Sequence, residues 1–177
     1  VWFMPSHTPP HKTDHQITDT NDRCEMVKLA IAEYPYFHFS DFEISRTGNT
    51  YTAQTLQLLK EAYPEHTFYF IVGADSLYHI ETWYHPELVL GHVTILAARR
   101  ECDDAACTLE KQADYLKNKY GAAIFLLHSA AMHISSQELR ERQSNGTGIH
   151  DLVPDSVERY IREHGLYQHP DRRKDTL

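Results

Sequence analysis

Nothing in this chain is apolar for long enough to cross a bilayer, and no basic, apolar and small-residue succession marks a secretory leader. Cysteine is scarce. The three present, Cys24, Cys102 and Cys107, are an odd number without metal-type spacing, which reads as reduced thiols rather than a disulfide frame. Positive charge is in deficit, with 17 Lys and Arg against 25 Asp and Glu and a formal net charge of −8. That excludes a broad basic face for nucleic acid, though not a small anion held by a few local cations. No repeat or low-complexity tract is present, and a complete GxGxxG is missing, so a dinucleotide dehydrogenase gains no support. An initiating methionine is missing too: the chain opens on Val1.

What is there is ordinary for a globular protein of one domain: 177 residues, 41% hydrophobic and 24% charged. The reading is one α/β domain over residues 1–167 and a polar tail over 168–177, in the cytoplasm, with neither membrane nor nucleic acid as partner. Strands are expected at Val1–Met4, around His38–Ser45, and at Phe68–Val72, Val93–Ala98 and Ala123–Leu127. The run Phe68–Val72 is so continuously apolar that it predicts a central parallel strand buried on both faces. Helices are expected over Asp22–Glu33, Thr52–Tyr63, Thr108–Lys119 and Asp155–His164, the last capped by Asp155 and stopped by Gly165. Strands alternating with helices imply a mostly parallel sheet, in which ligands bind beyond the carboxyl ends of the strands.

The loops at those ends carry the candidate chemistry. In SHTPPHK, two prolines hold His11 and Lys12 on a stiff arm that suits a phosphate, or simply carry a solvated lysine. In IVGADS, Gly73 lets a ligand approach the backbone, and Asp75 either accepts from a ribose hydroxyl or caps a helix. In HISSQELRER, Ser135 and Glu138 form a capping box, and the same helix start offers N–H groups and a positive dipole end to an anion. Arg140, with Arg142 close by, either turns back toward a phosphate or lies on a solvated face. In SRTGNTYTAQTL, Gly48 turns the chain and Thr52 opens a helix. In ETWYHPE, Trp83 and Tyr84 are either core or a flat platform for a ligand.

Six segments in order, VWFMPSHTPPHK (Val1–Lys12), DRCEMVKLAI (Asp22–Ile31), EISRTGNTYTAQTL (Glu43–Leu56), FIVGADSLYHIETWY (Phe70–Tyr84), ISSQELR (Ile134–Arg140) and LVPDSVERYIREHGLY (Leu152–Tyr167), resemble the bacterial nicotinate mononucleotide adenylyltransferases. The resemblance implies the Rossmann-like parallel sheet flanked by helices of the nucleotidyltransferase superfamily. It implies adenylyl transfer from ATP to nicotinate mononucleotide, with Mg²⁺ carried by the ATP and no protein-only metal site. It also leaves room for a homo-oligomer. By the same resemblance Lys12 and Arg140 are the catalytic cations, and Thr52, Trp83 and Tyr84 form the nicotinate pocket. Gly73 and Asp75 hold the adenosine half, while Ile134, Ser135, Ser136 and Arg140 hold the triphosphate. Gln137 and Leu139 depart from the family's usual threonine and isoleucine but remove neither the charge nor the helix start.

The family also opens with a strand, a GGTFDP-type turn and an H/T-x-G-H signature ahead of VWFMP, and none of these is in the sequence. VLGH at Val89–His92 precedes a strand instead of following one and is a decoy. The expectation is therefore a chain shortened at its N-terminus, lacking a central strand, with little or no activity as written. Two other readings are carried alongside: a sister enzyme such as phosphopantetheine adenylyltransferase, and a non-catalytic nucleotide-binding module.

Overall fold

A computed structural model describes residues 1–7, 18–48, 50–98, 105–127 and 134–168, with the side chains of 105–107 left aside. His11, Lys12, His128, His133 and residues 169–177 of the expected tail thus lie outside the described residues. The chain divides into two compact units, residues 1–50 with 134–177, and residues 51–133.

In the first unit β1 (Trp2–Phe3) pairs in parallel with β2 (His38–Phe39), Trp2 opposite His38 and Phe3 opposite Phe39. The second strand is far shorter than the alternation through Ser45 suggests. Ser40 Oγ accepts from the Phe42 amide at 3.4 Å and the Ser45 amide turns back to Asp41 O at 2.9 Å, so local turn bonds replace the ladder. Between these strands α1 (Thr20–Ile31) starts two residues before the expected Asp22, because Asp19 accepts from the Asn21 amide at 2.8 Å and caps it.

Helices α6 (Ser136–Asn145) and α7 (Asp155–Glu163) complete this unit. Met26, Leu29 and Ala30 of α1 recur at helical spacing and meet a core of Ile149, Val157 and Ile161, the last two from α7. Tyr160 Oη donates to Asp22 Oδ1 at 2.9 Å across the same contact, a bond that holds the phenol above its usual pKa. Asp155 is the first residue of α7 rather than its cap; Pro154 takes the cap position without a side-chain bond, and the carboxylate lies in the first turn, where it suits the helix dipole, 3.6 Å from His150 Nδ1. Gly165 does stop the helix: at φ +58 it lets the Leu166 amide reach Ile161 O at 2.9 Å.

The second unit opens with α2 (Thr52–Ala62) and carries three parallel strands in the order β3 (Tyr69–Gly73), β4 (Thr94–Ala98), β5 (Ala123–Leu127). Ile71 lies opposite Leu96, which lies opposite Phe125. After β3 come α3 (Ala74–His79), a 3-10 turn (Ile80–Thr82) and α4 (Pro86–His92); α5 (Ala105–Tyr120) follows β4. Val72, Ile95, Ala97 and Ile124 point to one side and are buried with Leu77 of α3, Leu90 of α4 and Leu116 of α5.

The expectation that β3 is a central strand buried on both faces is overturned. Among the described residues β3 lies at one end of the three-strand order, and Tyr69 and Ile71 are 61% and 53% exposed. Period-two alternation sends these two residues to the side opposite Val72, where Phe125 is also exposed. An unbroken apolar run reports that both faces are apolar, not that both are covered. Among the described residues no helix is long and apolar enough to cross a membrane.

Candidate active site

At the head of α2 the cap residue Tyr51 is extended, with φ −99 and ψ 134, and Thr52 begins the helix. The Tyr51 ring lies 4.5 Å from the Tyr84 ring at 34°, so the start of α2 and the Trp83–Tyr84 link come together within one unit. Trp83 is half-buried with its ring edge-on to Phe70 of β3 at 6.3 Å, while Tyr84 is exposed. The two readings of the tryptophan, core and platform, are therefore both realised in part. The link ends at His85, a non-glycine residue in the left-handed region at φ 50, just before Pro86 opens α4. His85 Nδ1 lies 2.8 Å from Glu87 Oε1 and holds that carboxyl below its usual pKa.

Gly73 ends β3 and caps α3 in extended geometry, and a Cβ built on it meets nothing within 4 Å. Its use is open space at the carboxyl end of a strand, not an unusual backbone angle. Asp75 is the second residue of α3 and not its cap, which removes the capping explanation for it.

In the other unit, Ser135 Oγ caps α6 by accepting from the Glu138 amide at 3.1 Å. The reciprocal half of the expected capping box is not made. Glu138 Oε1 instead accepts from Arg142 Nε at 3.1 Å and Nη2 at 2.7 Å. The dipole end that carries Ser135 and Ser136 thus has no carboxylate folded over it from Glu138, and Arg142 is occupied. Arg140 is exposed and forms no ion pair among the described residues.

Three further residues bear on the site: Arg23, Tyr51 and Thr50. The Arg23 guanidinium donates to Ser6 O at 2.8 Å, His7 O at 3.0 Å and Thr18 O at 3.2 Å, gripping the chain on either side of the segment that contains Lys12. Tyr51 belongs to the TYT segment that, with TWY, suits a flat aromatic acceptor. Thr50, 5% exposed, has an Oγ1 without a hydrogen-bond partner among the described residues.

Residues 1–142 match the cytidylyltransferase-like family model. The probable nicotinate-nucleotide adenylyltransferase of Lachnoclostridium phytofermentans is 42% identical over 167 residues, covering 94% of this chain and 83% of that protein. That of Desulfitobacterium hafniense strain Y51 is 40% identical over 171 residues, covering 95% and 81%. The chain belongs to the nicotinate-nucleotide adenylyltransferase family.

The solved structure of Plasmodium falciparum nicotinic acid mononucleotide adenylyltransferase complexed with NaAD aligns with a TM-score of 0.74 at 21% identity, covering 94% of this chain and 81% of that one. That likeness establishes the fold, a parallel sheet flanked by helices, as the sequence implied. In this adenylyltransferase the VLGH decoy closes α4, where His92 Nδ1 donates to Leu88 O at 2.7 Å. Replacing Ser135 by alanine is expected to lower stability by about 1 kcal/mol through loss of the α6 cap. A shift of the urea midpoint with unchanged m-value checks it.

Proposed function

We propose that this chain transfers the adenylyl group of ATP to nicotinate mononucleotide, forming nicotinate adenine dinucleotide and pyrophosphate in NAD biosynthesis. Membership of the nicotinate-nucleotide adenylyltransferase family carries the reading. The approach of Tyr51 and the start of α2 to the Trp83–Tyr84 link supports a flat aromatic acceptor.

A phosphate oxygen of the mononucleotide attacks the α-phosphorus of ATP, the bond to the β-phosphate breaks, and pyrophosphate leaves with its electrons. The nucleophile is already an anion, so no general base is required. The task is to bring two polyanions together and to stabilise charge on the transferring group. Thr52, Trp83 and Tyr84 take the nicotinate ring, Gly73 and Asp75 the adenosine half, and Ile134, Ser135, Ser136 and Arg140 the triphosphate. Lys12 meets the reacting phosphate, and residues 1–167 work as one nucleotidyltransferase domain.

These amide, hydroxyl and guanidinium donors suit phosphate oxygens. A divalent metal is proposed to enter with the triphosphate, and Mg²⁺ is the one proposed. The cytoplasm, where ATP is supplied, is the proposed location.

Pyrophosphate release by the full gene product, with ATP and each of nicotinate mononucleotide, nicotinamide mononucleotide and phosphopantetheine, tests the reading. Turnover with the pyridine mononucleotides is expected. Release with phosphopantetheine alone, or ATP binding without release for every acceptor, would overturn it.

A further inference from the structure

The link that presents Trp83 and Tyr84 has little backbone structure of its own. Residues 83–85 are bends between the 3-10 turn and α4, and the Trp83 amide closes the turn on Ile80 O at 3.1 Å. Ile80 is fully buried and anchors the turn from below. Its neighbour Glu81 reaches a different element altogether. Glu81 Oε1 accepts from Lys119 Nζ at 2.7 Å, from Tyr120 Oη at 2.9 Å and from Tyr115 Oη at 3.4 Å. All three donors lie in the last turns of α5. Lys119 Nζ also donates to Tyr115 Oη at 2.9 Å and lies 5.3 and 5.2 Å from the centres of the Tyr115 and Tyr120 rings. The donors are 34 to 39 residues from Glu81 in sequence, so pairing along one helix does not account for them. The bonds from Lys119 and then Tyr120 hold the Glu81 carboxyl below its usual pKa, and the Lys119 ammonium is held above its own.

The Lys119 and Glu81 side chains are 47% and 30% exposed, and ion pairs so wetted contribute little to global stability. Three side chains converging on one carboxylate do, however, select one orientation for the turn that carries it. We propose that Glu81 is a positioning residue: clamped by Lys119, Tyr120 and Tyr115, it sets the direction of Trp83 and thereby the affinity for the acceptor. The inference rests on the reading above that Trp83 belongs to the acceptor site.

Trp2 and Trp83 are the only tryptophans among these 177 residues, so within them a Trp2→Phe background leaves Trp83 as the sole tryptophan fluorophore. In that background Glu81→Gln and Lys119→Met are expected to increase acrylamide quenching of Trp83 and to raise the KM for nicotinate mononucleotide about fivefold. The KM for ATP and the melting temperature stay as they were, and Lys119→Arg restores both readouts. Unchanged quenching overturns the clamp, and so does an equal rise in both KM values, which marks a general structural role. Increased quenching with both KM values unchanged supports the clamp and instead overturns the placement of the acceptor at Trp83.

Discussion

Arg140→Ala is expected to lower the kcat/KM for pyrophosphate release by about 10²–10³ while changing the unfolding free energy, read by urea denaturation, by no more than about 0.5 kcal/mol. The contrast follows from where the residue lies. Arg140 is in α6 just beyond the helix start formed by Ser135 and Ser136, exposed and without an ion-pair partner among the described residues. Removing it takes nothing from the core, yet it removes the cation proposed to face the triphosphate. Arg142→Ala is the control. It breaks an exposed pair with Glu138 at 2.7 Å, worth about 0.3–0.5 kcal/mol, and leaves turnover intact. Arg140→Lys keeps the charge but loses the planar fork, so its activity falls between wild type and alanine. Equal activity in Arg140→Ala and wild type would remove Arg140 from the site.

Leu77→Ala is expected to cost about 2–5 kcal/mol and to weaken ATP binding with it. Leu77 is fully buried in α3, a helix of six residues that is too short to persist without packing. The helix begins directly after Gly73 and contains Asp75, so a cavity beneath it loosens the groups proposed for the adenosine half. Leu58→Ala, at an exposed position of α2, should stay within about 0.5 kcal/mol. Urea denaturation and ATP titration read both variants. A Leu77→Ala loss under about 1 kcal/mol would mean that α3 repacks and does not hold those groups.

Elements with a strong local signal were legible in the chain. β5 runs over Ala123–Leu127 as expected, and α2 begins at Thr52 and ends one residue short of the expected Tyr63. Their signals, an apolar run between turns and an apolar stripe ahead of Pro64, depend on neighbouring residues alone. β2 shows the limit: alternation continued to Ser45, but Ser40 and Asp41 offered the backbone turn bonds that won locally. The sequence named Thr52, Trp83 and Tyr84 for the proposed acceptor half, and the structure brings the start of α2 to the Trp83–Tyr84 link. The contact of Tyr51 with Tyr84 and the clamp on Glu81 were not legible, because the partners are 33 and 38 residues away.

By itself the sequence determined the succession of the main strands and helices, the Ser135 cap of α6, the stop at Gly165, and the family, because each rests on residue types at fixed short spacings. Only the tertiary structure decided which face of β3 is covered, that Glu138 turns to Arg142 instead of to the α6 start, and that α5 reaches the turn beneath Trp83. Those outcomes are choices among partners distant in the chain or equivalent in propensity, and packing and hydrogen-bond competition settle them, not local preference.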